Sequence, residues 1–304
     1  MPYVQLSNLD FLEIKSALKE YLRGQSDFTD FDFEGSVWSN LLDVLAYNTY
    51  YTAFNTNMVV NEMFLDSATL RDNVVALAKQ LGYRPKSATA PKAVINFEVS
   101  IPNAPPNEIV LKRGTGFTAT FDSNTYNYVA LDDIKAQVVN NVATFRNTPI
   151  YEGNFVTDEY VVNSSTPQKF VIKNPSADVS SLRVRVFQSA AETSGAVFAR
   201  ADSILDVTSL SDVYYLEEVE DERYEIFFGD GILGKKLENG NLVQITYLST
   251  NGSLSNGSKT FTFNGVLEDP QGASNFVFTV NYSSSSDLVE VATGGAEIES
   301  VNTI

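Results

Sequence analysis

A long apolar segment close to the N-terminus constrains the fold of this chain more than any other feature. Residues 30–51 read DFDFEGSVWSNLLDVLAYNTYY, an acidic and aromatic stretch that leads directly into a run with helical periodicity. Within this run Trp38, Leu41, Leu42 and Leu45 recur at the three- and four-residue spacing of one helix face. We therefore predict that these four residues form the buried spine of an N-terminal helical region.

The residues before this segment predict a first helix over 9–23, capped by Ser7 or Asn8 and ended by Gly24. Its apolar residues follow alternating three- and four-residue steps, which is the pattern of a short heptad seam: Phe11, Ile14, Leu18 and Tyr21. Two heptads are too few to establish a coiled coil, so the residues alone favour packing on the next two helices of the same chain. A bundle shared with helices of another chain is the alternative.

Capping and breaking residues place the other helix boundaries. Ser36 is positioned to cap the long helix. Asp66 or Ser67 can cap a third helix, which ends where Gly82 supplies a left-handed position and Pro85 prevents continuation.

Beyond Pro91 the period changes from helical to two, because Ile95, Phe97 and Val99 alternate with polar residues. The further strand candidates are 108–112, 116–121, 126–131, 136–139, 142–146, 169–173, 182–188, 214–218, 223–228, 243–248, 259–263 and 288–292. Asn140-Asn141 tolerates positive φ and predicts a hairpin between the fourth and fifth of these. A short helix is predicted over 201–207.

These elements predict an α+β fold, with an N-terminal helical region followed by two β-rich modules of mainly antiparallel strands. The helical domain is expected over 1–90 and the first β module over 91–175. Lys173-Asn174-Pro175 marks the boundary to a second β module over 176–282. Residues 283–304, with four consecutive serines and Gly294-Gly295, read as a connector.

The composition excludes several classes of function. The 304 residues include no cysteine and no histidine, so thiolate chemistry, disulfides and imidazole ligands are absent. The net charge of −17 would repel a phosphate backbone, which argues against a nucleic-acid-binding role. No apolar run reaches the roughly 18 residues of a membrane span, and the N-terminus lacks a signal-peptide pattern. We expect a globular, non-enzymatic protein without cofactor, used in the cytoplasm or in something assembled there.

Two sets of residues could carry chemistry, and we favour a structural role for both. Residues 229–236, GDGILGKK, place Gly229, Gly231 and Gly234 at dinucleotide-motif spacing, but a β pattern follows where a phosphate site needs a helix. The carboxylate pairs Asp30/Asp32 and Asp132/Asp133 could hold a hard cation, yet neither has calcium-loop spacing. We therefore predict neither a nucleotide site nor a metal site.

Acidic residues concentrate between Asp202 and Asp230, around the stretch LEEVEDERYE at 216–225. Because charge runs usually face water, we interpret this stretch as a solvated hairpin with charges at its turn. An acidic face for a basic partner is the alternative.

Long blocks of this sequence resemble a known family. DFDFEGS, LLDVLAYNTYY, NTNMVVNEMFLDSA, LAKQLGYRPKSA and FFGDGILGKKLENGN are similar to the baseplate wedge subunits of T-even-type contractile-tailed phages, within the wider baseplate J-like family. The resemblance covers nearly all of the chain. In that family a Gly-Gly-acidic stretch like GGAEIES leads to a further C-terminal half, which is not part of this sequence.

The resemblance implies a structural subunit of the virion tail that forms a ring around the hub and transmits the change that triggers sheath contraction. The implied partners are further copies of the chain and other wedge, hub or sheath-initiating proteins. It also favours the shared bundle for the seam on the first helix. The alternatives are a carboxylate-based tail glycan hydrolase, whose paired acids we cannot identify in the sequence, and a glycan-binding β module.

Overall fold

The computed structural model describes residues 10–25 and 37–304. The chain divides into two compact units, the first formed by Met1–Arg84 with Ser300–Ile304 and the second by Pro85–Glu299. Helices make up the regular structure of the first unit, and strands dominate the second. The predicted α+β class, with mainly antiparallel strands, is confirmed.

Three helices are described in the first unit: α1 (Phe11–Arg23), α2 (Val37–Asn61) and α3 (Arg71–Gln80). Asp10 caps α1, because its carboxylate accepts hydrogen bonds from the Leu12 and Glu13 amides at 2.8 and 3.1 Å. The predicted caps Ser7 and Asn8 lie outside the described residues, as does Ser36, and the cap of α1 is instead this later acidic residue.

The two ends of α3 differ in how well the sequence predicted them. Gly82 has φ +79, and the Gly82 and Tyr83 amides donate to the carbonyls of Lys79 and Ala78. This Schellman motif confirms the predicted stop. The predicted caps Asp66 and Ser67 are wrong, because α3 begins later and its N-cap residue, Leu70, makes no side-chain cap.

Glu62, just beyond α2, takes over the capping of α3. Its carboxylate accepts hydrogen bonds from the Thr69 amide at 2.9 Å, the Leu70 amide at 3.2 Å and the Asn73 side chain at 2.9 Å. Burial alone would raise the pKa of the Glu62 carboxyl, but hydrogen bonds from Asn73, Thr69 and two backbone amides outweigh it and lower the pKa from 4.5 to about 2. The carboxylate therefore ties the end of one helix to the start of the next.

Replacing Glu62 should weaken the helical unit in a pH-dependent way. We expect Glu62→Ala to cost roughly 0.5–2 kcal/mol, the usual penalty for losing a helix N-cap. The stabilisation exists above the ordinary pKa of 4.5 and is lost as the pH falls towards 2, because the carboxylate is protonated there. Urea unfolding followed by helical circular dichroism at several pH values measures it, with Glu62→Gln as the matched control that retains one acceptor oxygen. A deficit that stays constant between neutral pH and pH 2 would contradict the capping role.

Sixteen strands are described in the second unit. In chain order they are β1 (Lys92–Ser100), β2 (Glu108–Leu111), β3 (Gly116–Phe121), β4 (Asn124–Val129), β5 (Ile134–Val139), β6 (Val142–Glu152), β7 (Asn154–Val161), β8 (Lys169–Val171), β9 (Ala177–Phe187), β10 (Ala196–Arg200), β11 (Val213–Glu218), β12 (Tyr224–Phe228), β13 (Leu242–Ser249), β14 (Phe261–Phe263), β15 (Thr279–Asn281) and β16 (Leu288–Thr293). A short 3-10 turn, Gly252–Ser255, follows β13.

The strands form two sheets that interleave in sequence. The first sheet has the order β14-β3-β4-β6-β1-β15, with β16 also pairing with β1, and β5 joining β2 to β6. The second sheet has the order β7-β13-β9-β10-β11-β12-β8, and its only parallel pair among the described strands is β10 with β11. The chain thus leaves the first sheet after β6, builds the whole second sheet, and returns with β14.

A buried carboxylate connects the two places where the chain crosses between the sheets, after β6 and after β13. Glu152, the last residue of β6, is 0% exposed. It accepts hydrogen bonds from the Thr250 hydroxyl at 2.6 Å and from the Asn251 amide and side chain at 3.0 and 2.7 Å. The next residue, Gly153, has φ +123, and a Cβ there would lie 2.5 Å from the Ser249 carbonyl oxygen. Only glycine allows this approach of the two backbone crossings.

The interleaving differs from the predicted order of modules. Lys173-Asn174-Pro175 lies between β8 and β9, inside the second sheet rather than at its boundary. The predicted connector contributes β16, which pairs with β1 in the first sheet. The physical reason is that strand pairing follows the buried faces and not the order along the chain. The predicted helix over 201–207 is wrong, because this stretch forms bends and turns.

Aromatic residues lie at the centre of the core of the first sheet. Phe97 is 1% exposed and stacks on Phe145 with ring centroids 4.7 Å apart. Phe117 contacts the Phe97 ring edge-on, with ring centroids 5.7 Å apart. Phe263, from the returning strand β14, lies 6.5 Å away. Strands that precede and follow the second sheet along the chain therefore share one core. We call this second sheet, β7–β13, the inserted sheet.

Candidate interaction surface on the helical unit

Helix α2 carries apolar residues around its whole circumference, and small residues define its buried side. Leu42 and Ala46 are buried together with the polar residues Ser39, Asn57 and Asn61. The Asn61 side-chain amide donates to the Asn57 carbonyl at 2.7 Å. The buried side is therefore partly polar, and much of the apolar surface of the helix points elsewhere.

The opposite side of α2 is exposed and carries a stripe of apolar side chains, with Asn48 and Asn55 among them. Val37, Val44, Tyr51 and Met58 lie seven residues apart, and their exposed fractions range from 43% for Met58 to 83% for Val37. The seven-residue step keeps them on one stripe about 30 Å long, at 1.5 Å of rise per residue. We name this stripe, with Leu41 beside it, the α2 face. A helix that is hydrophobic on all sides is normally buried, so the α2 face is a candidate surface for binding a partner.

The predicted buried spine is correct for one of its four residues. Leu42 is 4% exposed, but Trp38, Leu41 and Leu45 are 45%, 46% and 45% exposed. The prediction was wrong for these three because helical periodicity shows which residues share a face but not whether the same chain covers that face. Leu41 instead belongs to the α2 face.

The seam on α1 is divided between its own chain and solvent. Phe11, Ile14 and Leu18 are half-buried, whereas Tyr21 is 69% exposed. Phe11 packs against Tyr47 of α2, with ring centroids 4.6 Å apart. Lys15 also forms an ion pair with Asp43 of α2. Helix α1 therefore covers one flank of α2, and packing within the chain accounts for at least the first residue of the seam.

The glycine-rich stretch 229–236 forms a tight loop between β12 and β13. Gly231 and Gly234 have φ +94 and +90, and a Cβ on Gly229 would lie 2.2 Å from the Gly234 backbone. The Asp230 carboxylate accepts hydrogen bonds from the Ile232 and Leu233 amides at 2.9 and 3.1 Å. These bonds lower the pKa of Asp230. The three glycines thus meet backbone requirements of the loop, and a strand follows them where a phosphate site would need a helix.

Of the carboxylates singled out from the sequence, Asp133 has structural partners. Asp133 accepts hydrogen bonds from the Arg113 amide at 2.8 Å and from the Lys112 ammonium at 3.2 Å. Asp30 and Asp32 lie outside the described residues. Within 10–25 and 37–304 there is no group of three or more acidic side chains placed to hold a metal ion.

Two further expectations can be compared with the described part of the chain. Residues 216–225 form the predicted hairpin, in which β11 and β12 pair antiparallel and the Val219 amide donates to the Arg223 carbonyl at 2.8 Å. Of the helices described, none combines the length and the apolar character that crossing a bilayer requires.

The described features define a class of protein. It has a helical unit with an uncovered apolar face, followed by a β unit in which the segment that forms one sheet is inserted between two strands of the other. Two family models match the chain. The helical domain of gp6-like baseplate wedge proteins matches residues 10–83, and the third domain of the bacteriophage baseplate wedge protein gp6 matches residues 155–252. The first match ends where the helical unit ends, and the second coincides with the inserted sheet.

A curated relative agrees with both matches. The chain is 31% identical, over 97% of its length, to the baseplate wedge protein gp6 of Enterobacteria phage T4. The chain belongs to the gp6-like family of baseplate wedge proteins. It spans 46% of the length of the T4 protein. The resemblance seen in the sequence is confirmed.

Proposed function

We propose that this chain is a structural, non-enzymatic subunit of a contractile phage tail baseplate wedge, located in the virion tail and assembled in the host cytoplasm. The observation that supports this most directly is the α2 face, which leaves a stripe of large apolar side chains exposed on a 25-residue helix. Leaving such a stripe in water is unfavourable, and a partner that covers it gains the free energy of apolar burial.

The partners we propose are further copies of the chain and other wedge, hub or sheath-initiating proteins. The T4 relative is named a baseplate wedge protein, and a wedge subunit works through contacts with its neighbours. We propose that the α2 face and the exposed end of the α1 seam, at Tyr21, pack against helices of these neighbours. Seven-residue spacing is the geometry in which helices pack side chains into one another's surface.

The proposed mechanism is mechanical. Each wedge contributes to a ring around the central hub, and rearrangement of the ring transmits the signal for sheath contraction. Two packed β cores joined by the Glu152 hydrogen bonds form a unit that can move as a body, while helical contacts connect it to neighbours. No observation on the described residues favours the two alternative functions, a glycan hydrolase and a glycan-binding module.

A charge on the α2 face should weaken assembly without unfolding the chain. Val44 is 64% exposed, so Val44→Glu should change the stability of the isolated chain by less than about 0.5 kcal/mol. In a covered interface the same carboxylate would be desolvated without a partner, so we expect at least about ten-fold weaker association with co-expressed tail proteins. Co-purification followed by sedimentation velocity and electron microscopy of the particles measures this.

Val139→Glu is the matched control, because Val139 is also a valine with 64% exposure but lies on the β5–β6 hairpin. Equal assembly of the two variants and the parent chain would show that the α2 face is not a contact surface. Equal loss in both would point to added charge rather than position as the cause.

A further inference from the structure

A cluster of arginines lies on the outer surface of the inserted sheet. Val184 and Val186 of β9 are buried in the core of that sheet. Side chains alternate along a strand, so Arg183 and Arg185 point to the opposite, outer surface. There they lie beside Thr246 and Gln244 of the neighbouring strand β13.

Arg113, from the loop between β2 and β3, joins this cluster. Its guanidinium lies 4.3 Å from the centre of the Phe155 ring, and its Nη1 donates to the Leu131 carbonyl at 2.7 Å. Burial lowers the pKa of Arg113 and the charges of Arg183 and Arg185 lower it further, while the nearby carboxylates of Asp132 and Asp133 offset part of this effect. Three guanidinium groups therefore lie close enough to repel one another in a chain whose net charge is −17.

The hydrogen-bonding capacity of the cluster is not used up. Arg113 Nη2 and Arg185 Nε are buried and have no hydrogen-bond partner. Among the described side chains, Arg183 and Arg185 form no ion pair. A buried donor without an acceptor costs about 1–3 kcal/mol. The side chains of Arg113, Arg183 and Arg185 are only half-buried, so a partner can reach their outer parts, and carboxylates match the guanidinium fork best.

The same chain exposes an acidic turn of complementary charge. Glu220, Asp221 and Glu222 are exposed at the tip of the β11–β12 hairpin. Asp221 and Glu222 both have φ +59, as the two central residues of a type I′ turn require. Asn-Gly is the favoured pair at such a turn, and a residue with a Cβ costs about 1–2 kcal/mol in the left-handed region. Asp221 pairs with Arg223 of the same hairpin at 2.8 Å, and its side chain is still 79% exposed.

We propose that the cluster of Arg113, Arg183 and Arg185 binds the acidic turn Glu220–Asp221–Glu222 of a second copy of this chain. The inference rests on the proposed assembly role and names one contact within it. The contact joins two different surfaces, so it is heterologous, and repetition of it builds a ring or a chain of subunits. A nucleic acid fits the cluster less well, because the remaining charge of the chain repels a long phosphate backbone.

Charge reversal on each side tests the contact in the full-length chain. Arg183→Glu/Arg185→Glu and, separately, Glu220→Lys/Asp221→Lys should each weaken self-association at least about ten-fold in sedimentation velocity. An equimolar mixture of the two variants should recover it, because each reversed surface then meets a reversed partner. High salt should weaken association of the parent chain and of the mixture alike. Recovery in the mixture also shows that both variants are folded.

The control is Arg146→Glu/Lys259→Glu, which makes the same change in net charge at exposed sites outside the cluster. The inference is overturned if the parent chain stays monomeric at all concentrations. It is also overturned if neither charge reversal weakens self-association, or if the mixture of the two variants does not recover it. Loss of assembly with tail proteins in the arginine variant but not in the turn variant would also overturn it, by assigning the cluster to an acidic segment of another protein. Val44→Glu separates the two proposals, because the wedge role stands if that variant alone disrupts assembly.

Discussion

Phe97→Ala should lower the free energy of unfolding of the β unit by about 3–5 kcal/mol, the range for truncating a fully buried aromatic side chain. The ring is 1% exposed and contacts the rings of Phe145 and Phe117 at 4.7 and 5.7 Å. Its removal costs the transfer free energy of the ring and leaves a cavity that rigid neighbours on β6 and β3 cannot fill. Aromatic pairs add about 0.5–1.5 kcal/mol beyond their buried area.

Urea unfolding followed by tyrosine and near-ultraviolet signals measures this loss. Phe97→Leu is the matched variant, since it keeps much of the volume and should cost clearly less. Val139→Ala, at an exposed position, should change stability by less than about 0.5 kcal/mol. A loss below about 1 kcal/mol for Phe97→Ala would mean that the core of the first sheet can collapse around the cavity.

Local patterns in the sequence predicted many of the elements. The period of two in β1 identified Ile95, Phe97 and Val99 as core residues, and they are 0%, 1% and 0% exposed. The Asn140-Asn141 turn has φ +52 and +65, as the predicted hairpin requires. These predictions succeeded because one face of each strand is buried and because positive φ selects few residue types.

Strands without a clear alternation were missed. The buried residue of β7 is Asp158, which accepts a hydrogen bond from the Tyr247 hydroxyl at 3.0 Å, so its inward face does not read as apolar. Strand β10 has one buried residue, Phe198, and β15 pairs over three residues at the edge of β1. A pattern of apolar residues cannot identify a strand whose buried side chain is charged or whose pairing is this short.

The sequence predicted that α2 needs a cover, but not which of its sides the same chain covers. The sequence showed that α2 is too apolar to remain in water, but an apolar helix on all sides gives no direction to its buried face. Small residues such as Ser39 and Ala46 set that direction by allowing close packing. The arginine cluster was not predictable either, since Arg113 lies 70 residues before Arg183 along the chain and only the pairing of two sheets brings them together.

The interleaving of the two sheets depends on contacts that local patterns do not reveal, and Glu152→Ala should show how much. The side chain is 0% exposed and holds Thr250 and Asn251, which follow it by 98 and 99 residues. Hydrogen bonds to a charged group contribute about 1.5–3 kcal/mol each, and removal of the carboxylate leaves the buried Thr250 hydroxyl without its acceptor. We expect a loss of about 3 kcal/mol or more in the free energy of unfolding of the β unit.

Two variants separate the hydrogen bonds from the volume of the side chain at this junction. Glu152→Gln preserves size but offers one acceptor oxygen instead of two, so its loss should lie between those of the parent chain and Glu152→Ala. Thr250→Val changes the shape little but removes the hydroxyl that donates to Glu152 and accepts from the Gly252 amide at 3.1 Å. Combined with Glu152→Ala it should cost less than the sum of the two, because the bond between Thr250 and Glu152 is lost only once. Hydrogen exchange at the Asn251 amide, which donates to Glu152 at 3.0 Å, locates the effect. Additive losses with unchanged protection of that amide would show that the two sheets are held together by their shared backbone and core alone.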